Sequence, residues 1–361
     1  MIEYENLNKS NRLFKEQLRN AFDEVFESGW FILGKKVNEF EKAFAAYCGS
    51  RHCIGVANGL DALTIALRTM NFEKGSEVIV PSNTYIATIL SVLHNQLIPV
   101  LAEPDIDTYN ISHLSIEEKI SAKTRGVIAV HLYGKMCAMD SILAIAEKHN
   151  LTVIEDCAQA HGAKFKGQHA GTFGIFGAFS FYPTKNLGAL GDAGAIITND
   201  DLSAQTIRAI RNYGSVKKYY NEIPGFNSRL DELQAAFLLV KLKAMDKIIN
   251  HKRMLAELYL SNLKNDFVLP KVHADFFDVY HIFNIRHPER NRLREFLRNN
   301  EIGAEIHYPV APNKQKALAG ILDNIFTPVA EEIHQTTLSL PISFYHSEQD
   351  IMRVIETLNK F

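Results

Sequence analysis

The sequence has no run of apolar residues long enough to cross a bilayer, which argues against a transmembrane helix. It has no excess of positive charge either: 39 Lys and Arg stand against 41 Asp and Glu, for a formal net charge of -2. Partners such as nucleic acid or an anionic membrane surface are therefore not expected, and any phosphate binding has to be local. The first residues, Met1-Ile2-Glu3-Tyr4-Glu5, lack the basic and apolar segments of a signal peptide, so a cytoplasmic protein is expected. Cysteine is scarce. Cys48, Cys53, Cys137 and Cys157 lie scattered in apolar contexts, which favours reduced thiols used as small core residues. Cys48 and Cys53 have no second pair at metal spacing, and His94, His131 and His161 read as isolated, so no metal site is expected. Repeats, low-complexity tracts and long linkers are absent. The glycine run Gly188, Gly191, Gly194 fails the G-x-G-x-x-G spacing and precedes a strand instead of following one, which argues against a dinucleotide loop.

What is present is the pattern of an α/β protein of 361 residues, long enough for two domains. From Val56 to Asp200 short β-branched runs alternate with helical stretches, as in βα units around a mainly parallel sheet. Expected strands are Glu77–Val80, Gly126–Val130, Leu151–Ile154 and Gly194–Ile197. Amphipathic stretches at Ala62–Met70 and Met139–His149 lie between them, with Asp61 before the first and Asp140 in the first turn of the second. From Ser228 the spacing of Leu233, Ala236, Phe237, Val240 and Ala244 predicts one long helix running toward Leu263. Strands around Tyr280–Arg286, a helix at Arg292–Asn300 and a last helix after Ser347 complete the pattern. The expected division is an amino-terminal arm and large α/β domain over 1–245, linked by the long helix to a small α+β domain over 246–361. Such an arrangement places a ligand at the carboxyl ends of the strands, between domains.

Candidate chemistry centres on Phe179-Ser180-Phe181-Tyr182-Pro183-Thr184-Lys185-Asn186-Leu187-Gly188. Most lysines are surface residues. Lys185, however, sits in a Gly- and Pro-bearing loop downstream of Asp156, which ends an apolar strand. A lysine able to form a Schiff base and an acid able to protonate a pyridine nitrogen are the minimum chemistry of a pyridoxal-phosphate (PLP) site. Taken alone, Asp156 reads equally well as a cap on the following segment. Gln159 has the right chemistry for the cofactor's phenolic oxygen and Tyr85 for stacking on its ring, although core packing suits Tyr85 nearly as well. Gly59 and Leu60 open a helix whose free N–H groups suit a phosphate, and Ser180 has a hydroxyl to add.

Taken together, Gly59-Leu60-Asp61-Ala62-Leu63, Pro81-Ser82-Asn83-Thr84-Tyr85-Ile86-Ala87-Thr88, Glu155-Asp156-Cys157-Ala158-Gln159-Ala160-His161-Gly162, Ser180 to Gly194 and Asn227-Ser228-Arg229-Leu230-Asp231 resemble the DegT/DnrJ/EryC1/StrS nucleotide-sugar aminotransferases. The likeness continues through His307-Tyr308-Pro309 and Leu340-Pro341. It implies a fold-type-I, aspartate aminotransferase-like PLP enzyme, normally a homodimer with sites at the interface. Lys185 is then the Schiff-base lysine and Asp156 the pyridinium partner; Gln159 meets the phenolic oxygen and Tyr85 lies on the ring. Ser180 with the Gly59-Leu60 backbone holds the phosphate, and Asn227 reaches it from the neighbouring subunit. Tyr182, Arg229, His307 and Tyr308 are implied on the substrate side. Relatives with histidine in place of the lysine are dehydratases, which Lys185 argues against.

The segment Asn83–Thr88, with His131-Leu132-Tyr133-Gly134 and Asn227-Ser228-Arg229, is similar to the branch that aminates C3 of dTDP-3-keto-6-deoxyhexoses, L-glutamate being the implied donor and surface polysaccharide such as O-antigen the implied destination. The alternative is a C4-aminotransferase on a dTDP- or UDP-linked 4-keto sugar. The residues leave galacto and gluco configuration open. Other classes of protein to weigh are a non-catalytic PLP-binding member of the fold and a nucleotide-binding oxidoreductase. A complete set of Lys185, Asp156, Gln159 and Ser180 argues against the first, and the missing phosphate fingerprint against the second.

Overall fold

The computed structural model describes residues 1–217 and 219–361. Its main sheet is formed by β1 (His52–Val56), β2 (Glu77–Pro81), β3 (Ile98–Ala102), β4 (Thr124–Val130) and β5 (Thr152–Asp156), continuing past the short strands β6 (Lys164–Phe165) and β7 (Gln168–His169) to β8 (Phe176–Ser180) and β9 (Gly194–Thr198). The order is β1-β9-β8-β5-β4-β2-β3. Strand β9 is antiparallel to both neighbours and the other pairings are parallel, so the sheet is mixed but mainly parallel. All strands except β9 therefore present their carboxyl ends at one edge.

These strands are apolar on consecutive residues because both faces of the sheet are covered. Cys53, Ile79, Val127, Val153 and Ile197 face one core, against the helices Lys35–Cys48, Met139–His149 and Glu232–Leu242. Their chain neighbours Ile54, Val78, Ile128, Ile154 and Ile196 face a second core, against the helices Gly59–Met70, Ile86–His94 and Asp201–Ile210. A third core joins the helices Met245–Asn262, Arg290–Asn299 and Glu348–Leu358 to the antiparallel pair β13 (Phe283–Arg286) and β14 (Thr337–Leu340), the intervening β10 (Ser215–Lys217), β11 (Tyr220–Asn221) and β12 (Phe276–Phe277) being short. Ile2 is part of this third core; its N–H donates to the Glu301 carbonyl, and its own carbonyl accepts from Gly303.

Two local expectations are corrected. The single long helix is two, ending at Leu242 and restarting at Met245, because Ala244 leaves helical geometry (φ -106°, ψ 5°). The break lets the second helix pass from the first core, at Met245 and Ile249, to the third, at Leu255 and Tyr259. The helix expected from Ala62 starts earlier, at Gly59, and its cap is Asn58, whose side chain accepts from the Asp61 N–H at 2.8 Å; Asp61 is inside the first turn.

The start of the helix Lys35–Cys48 has a long-range cap. Gly34 supplies no side chain, and the buried Glu232 carboxylate accepts from the Gly34, Lys36 and Val37 N–H groups, each at 2.8 Å. Those donors lack intrahelical acceptors, and a carboxylate there also complements the helix dipole.

Candidate active site

Asp156 ends β5 and Ser180 ends β8, at the edge where the loops after β1, β2 and β4 also emerge. Asp156 is 6% exposed. Its Oδ1 accepts from the Ala158 N–H at 3.1 Å and its Oδ2 from the Thr88 hydroxyl at 2.9 Å. Burial pushes its carboxyl above the usual carboxylate range, while these two hydrogen bonds and the positive charge of Lys185 pull the other way.

Lys185 follows β8 in a tight turn, its N–H donating to the Tyr182 carbonyl at 2.8 Å. Burial of its amine lowers the pKa to about 8, against the opposing pull of Asp156. The loop is pinned from beneath by two buried lysines. Lys252 Nζ donates to Asn186 Oδ1 at 2.8 Å and Lys241 Nζ to the Gly188 carbonyl at 2.6 Å. Burial lowers each of these to about 8 as well, partly offset by Glu5.

The other side of the site is aromatic and amide. Gln159 Oε1 accepts from the Tyr133 N–H at 2.6 Å, and Gln159 Nε2 donates to the Tyr308 hydroxyl at 2.9 Å. The exposed Tyr85 ring lies 5.3 Å from the Tyr308 ring, centroid to centroid. Burial keeps the Tyr308 phenol protonated far above neutral pH. His307 Nδ1 is 2.9 Å from Ser339 Oγ, and the Tyr133 hydroxyl donates to the His307 carbonyl. Burial, then Lys185, lowers His307 to about 4 and His161 to about 3, so both rings stay neutral at working pH. His281 is pushed well down by the same two causes.

An anion cradle adjoins Lys185. Gly59 and Leu60 are the first two residues of their helix, and their N–H groups have no intrahelical acceptor. Gly59 packs against Ser180 so closely that a Cβ there would come within 2.5 Å of Ser180 Cβ. Only glycine lets the helix start and the serine meet, and the helix dipole adds to the pull on a phosphate. These residues fit a PLP group: an acid for the ring nitrogen, a lysine of lowered pKa, an amide donor and a phosphate cradle.

The structure thus gathers Lys185, Asp156, Gln159, Tyr85, Ser180, Gly59, Leu60, His307 and Tyr308 at one sheet edge. Tyr182 is exposed beside them. Asn227 and Arg229 are placed differently. Asn227 is exposed and bridges to Asn212 through its backbone, while Arg229 donates to Asn212 Oδ1 at 3.0 Å and lies over the Tyr213 ring. Ser228 between them donates to Asp61 Oδ2 at 2.6 Å, which ties this segment to the cradle helix of its own chain.

Thr88, Tyr133 and His281 have no assigned role in the sequence reading. Thr88 and Tyr133 reach the site through hydrogen bonds to the distant Asp156 and Gln159, and both lie in motifs quoted above, whereas His281, close enough to feel the Lys185 charge, carried no signal. His131 is not isolated: it forms a buried group with Glu155 and Cys157, their ligand atoms within 4.8 Å of one another. Its Nδ1 accepts from the Cys137 N–H at 3.1 Å, so its Nε2 carries the proton and donates to Glu155 Oε2 at 2.9 Å. Glu155 also accepts from the N–H groups of Gly171, Phe173 and Gly174. With both ring nitrogens committed, this cluster is a hydrogen-bonded brace behind Asp156.

Comparison with known proteins gives a consistent picture. The sequence pattern of the DegT/DnrJ/EryC1/StrS aminotransferase family matches residues 13–359. A dTDP-3-amino-3,6-dideoxy-alpha-D-galactopyranose transaminase of Aneurinibacillus thermoaerophilus is 50% identical, covering 100% of this chain and 99% of its own. Among solved structures, Streptomyces venezuelae DesV in complex with a ketimine intermediate superposes with a TM-score of 0.97 at 39% identity, covering 99% of this chain and 98% of that one. NtdA of Bacillus subtilis, solved with bound PMP cofactor, has a TM-score of 0.93 at 28% identity, covering 99% and 84%.

Proposed function

The chain belongs to the DegT/DnrJ/EryC1/StrS aminotransferase family, and from that membership we propose that it transfers an amino group from L-glutamate to C3 of a dTDP-3-keto-6-deoxyhexose with PLP as cofactor. The product is a dTDP-3-amino-3,6-dideoxyhexose. Full-length identity of 50% to a transaminase named for the galacto sugar supports both the C3 position and that configuration. The observation that carries the reading is geometric: Asp156 at the end of β5, Lys185 in the turn after β8 and the close contact of Gly59 with Ser180 all lie at one sheet edge.

Bound at this edge, PLP supplies an electron sink for the carbon that loses a proton. The protein's residues do the rest. Asp156 would keep the ring nitrogen protonated, Gln159, whose Nε2 already gives one hydrogen to Tyr308, would offer its second to the phenolic oxygen, and Tyr85 would cover the ring. Ser180 with the Gly59 and Leu60 N–H groups would hold the phosphate. Lys185 would anchor the cofactor until the amino donor displaces it. The freed Nζ, its pKa lowered to about 8 and so partly neutral at working pH, would move a proton from Cα of the donor to the cofactor and, in the second half, from the cofactor to the sugar carbon that gains nitrogen. Neutral His307 and the protonated Tyr308 hydroxyl face the incoming sugar as hydrogen-bonding groups.

The same reading takes the chain as a homodimer in which Asn227 completes the partner's phosphate site. Exposed Phe22, Phe26, Trp30 and Phe31 support it, since an apolar strip of that size favours a partner surface. A second domain beginning near residue 245 has the third core as its support, with Ile2 of the amino-terminal arm joining that core and Ile249 still packed in the first. Among the described residues no helix is long and apolar enough to cross a membrane. Work in the cytoplasm, with the amino sugar passed to O-antigen or a related glycan, completes the proposal.

Borohydride reduction of the PLP-loaded protein, followed by peptide mass analysis, tests the cofactor assignment. A pyridoxyl group on Lys185 is expected. Its absence, or its presence on another lysine, would overturn the assignment.

A further inference from the structure

Resting on the PLP reading above, we infer that Thr88 is a positioning residue that holds the Asp156 carboxylate ionised and aimed at the cofactor's ring nitrogen, with Thr84 fixing the direction of its hydroxyl. Thr88 lies in the first turn of the helix Ile86–His94 and is 1% exposed; Thr84 is 3% exposed. The Thr88 hydroxyl donates to Asp156 Oδ2 at 2.9 Å. Its proton is thereby spent, so in the 2.8 Å contact between the two threonine hydroxyls Thr84 is the donor and Thr88 the acceptor. The chain Thr84 to Thr88 to Asp156 is directional and ends on the carboxylate.

This carboxylate has few other supports. Its Oδ1 has the Ala158 N–H. The titratable groups that act on it are Lys185 from the loop after β8, His131 after β4 and Tyr308 from the carboxyl-terminal segment. Lys185 cannot be a lasting counter-ion once it anchors the cofactor, and His131 Nε2 is committed to Glu155. Two hydrogen bonds thus stand between Asp156 and protonation by burial, and only one comes from a side chain. A protonated Asp156 could not keep a pyridinium, and the ring would lose most of its capacity to withdraw electrons. Thr88 acts on the reaction through Asp156 and is not itself placed on substrate.

The test compares wild type, Thr88→Val, Thr88→Ser and Thr84→Val, each loaded with cofactor labelled with ¹⁵N in the ring and each checked by borohydride trapping on Lys185. In Thr88→Val the ring ¹⁵N resonance is expected to move toward its unprotonated position. The pH midpoint of the bound chromophore should rise by about half to one unit, because a neutral ring withdraws less charge from the Lys185 linkage. Amine transfer from L-glutamate should slow at least roughly tenfold, the order expected for losing a hydrogen bond to a charged group. Thr88→Ser, which keeps the hydroxyl, should restore all three. Thr84→Val leaves the Asp156 contact in place and should shift resonance and midpoint the same way by less, which keeps the test decisive if Thr88→Val folds poorly. Wild-type resonance and midpoint in the cofactor-loaded, unreduced Thr88→Val enzyme, or in Thr84→Val where that is the variant obtained, would overturn the assignment. Failure to trap cofactor on Lys185 in wild type would instead overturn the reading beneath it.

Discussion

Gln159 and Tyr308 are hydrogen-bonded at 2.9 Å although 149 residues separate them. The contact joins the loop after β5 to the carboxyl-terminal segment, and Gln159 also accepts from the Tyr133 N–H. The amide proposed for the cofactor's phenolic oxygen is therefore oriented by the Tyr133 backbone and by Tyr308, which is proposed for the substrate side. Tyr308→Phe should leave PLP affinity within about threefold of wild type, while amination of the keto sugar falls roughly tenfold, as for the loss of one buried hydrogen bond. Measured kcat/KM for the sugar checks this; an unchanged value would remove Tyr308 from the substrate side.

The Lys185 amine should titrate near pH 8 in cofactor-free protein. Only the neutral amine condenses with an aldehyde, so the rate of PLP loading should rise with pH through about 8 and level off above it. Asp156 raises the lysine's value, so Asp156→Asn should move the midpoint lower. Stopped-flow absorbance across pH gives both midpoints. A wild-type midpoint near the ordinary lysine value, or an upward move in the variant, would contradict the pairing.

Glu232 accepts three backbone N–H groups at the start of the helix Lys35–Cys48, from inside the core. Glu232→Ala leaves those donors unpaired and should cost at least about 3 kcal/mol in urea unfolding. Glu232→Gln, which keeps one acceptor oxygen, should cost less. A loss below about 1 kcal/mol in the alanine variant would show that other groups satisfy the helix start.

The His131–Glu155–Cys157 cluster leads to an expectation about metals. Both imidazole nitrogens are bonded within the protein, and Glu155 takes four hydrogen bonds in all. Prolonged treatment with a strong chelator should leave turnover unchanged. Activity lost with chelator and restored by one divalent cation would reassign the cluster.

Much of this site was legible in the sequence because its parts fall at strand ends and helix starts. Asp156 closes an apolar run, Gly59 opens a helix, and Lys185 sits in a turn after a strand, so each signal is local. The parallel sheet then brings those ends to one edge. Alternating apolar pairs such as Val127 and Ile128 read as a strand for the same local reason, though not as belonging to two separate cores. What stayed hidden depends on contacts between distant residues. Thr88 on Asp156, Tyr133 on Gln159 and Glu232 on Gly34 pair residues 26 to 198 positions apart. Periodicity also ran unbroken across Ala244, where the change of helix direction is set by packing against two cores.

The most direct test of the proposed activity is product analysis. The protein is incubated with PLP, L-glutamate and dTDP-3-keto-6-deoxyhexose generated in situ, and the sugar is identified by mass and NMR. An amino group on C3, in the galacto configuration, is the expected result. An amino group on C4 of a 4-keto sugar, with the 3-keto sugar left untouched, would contradict it.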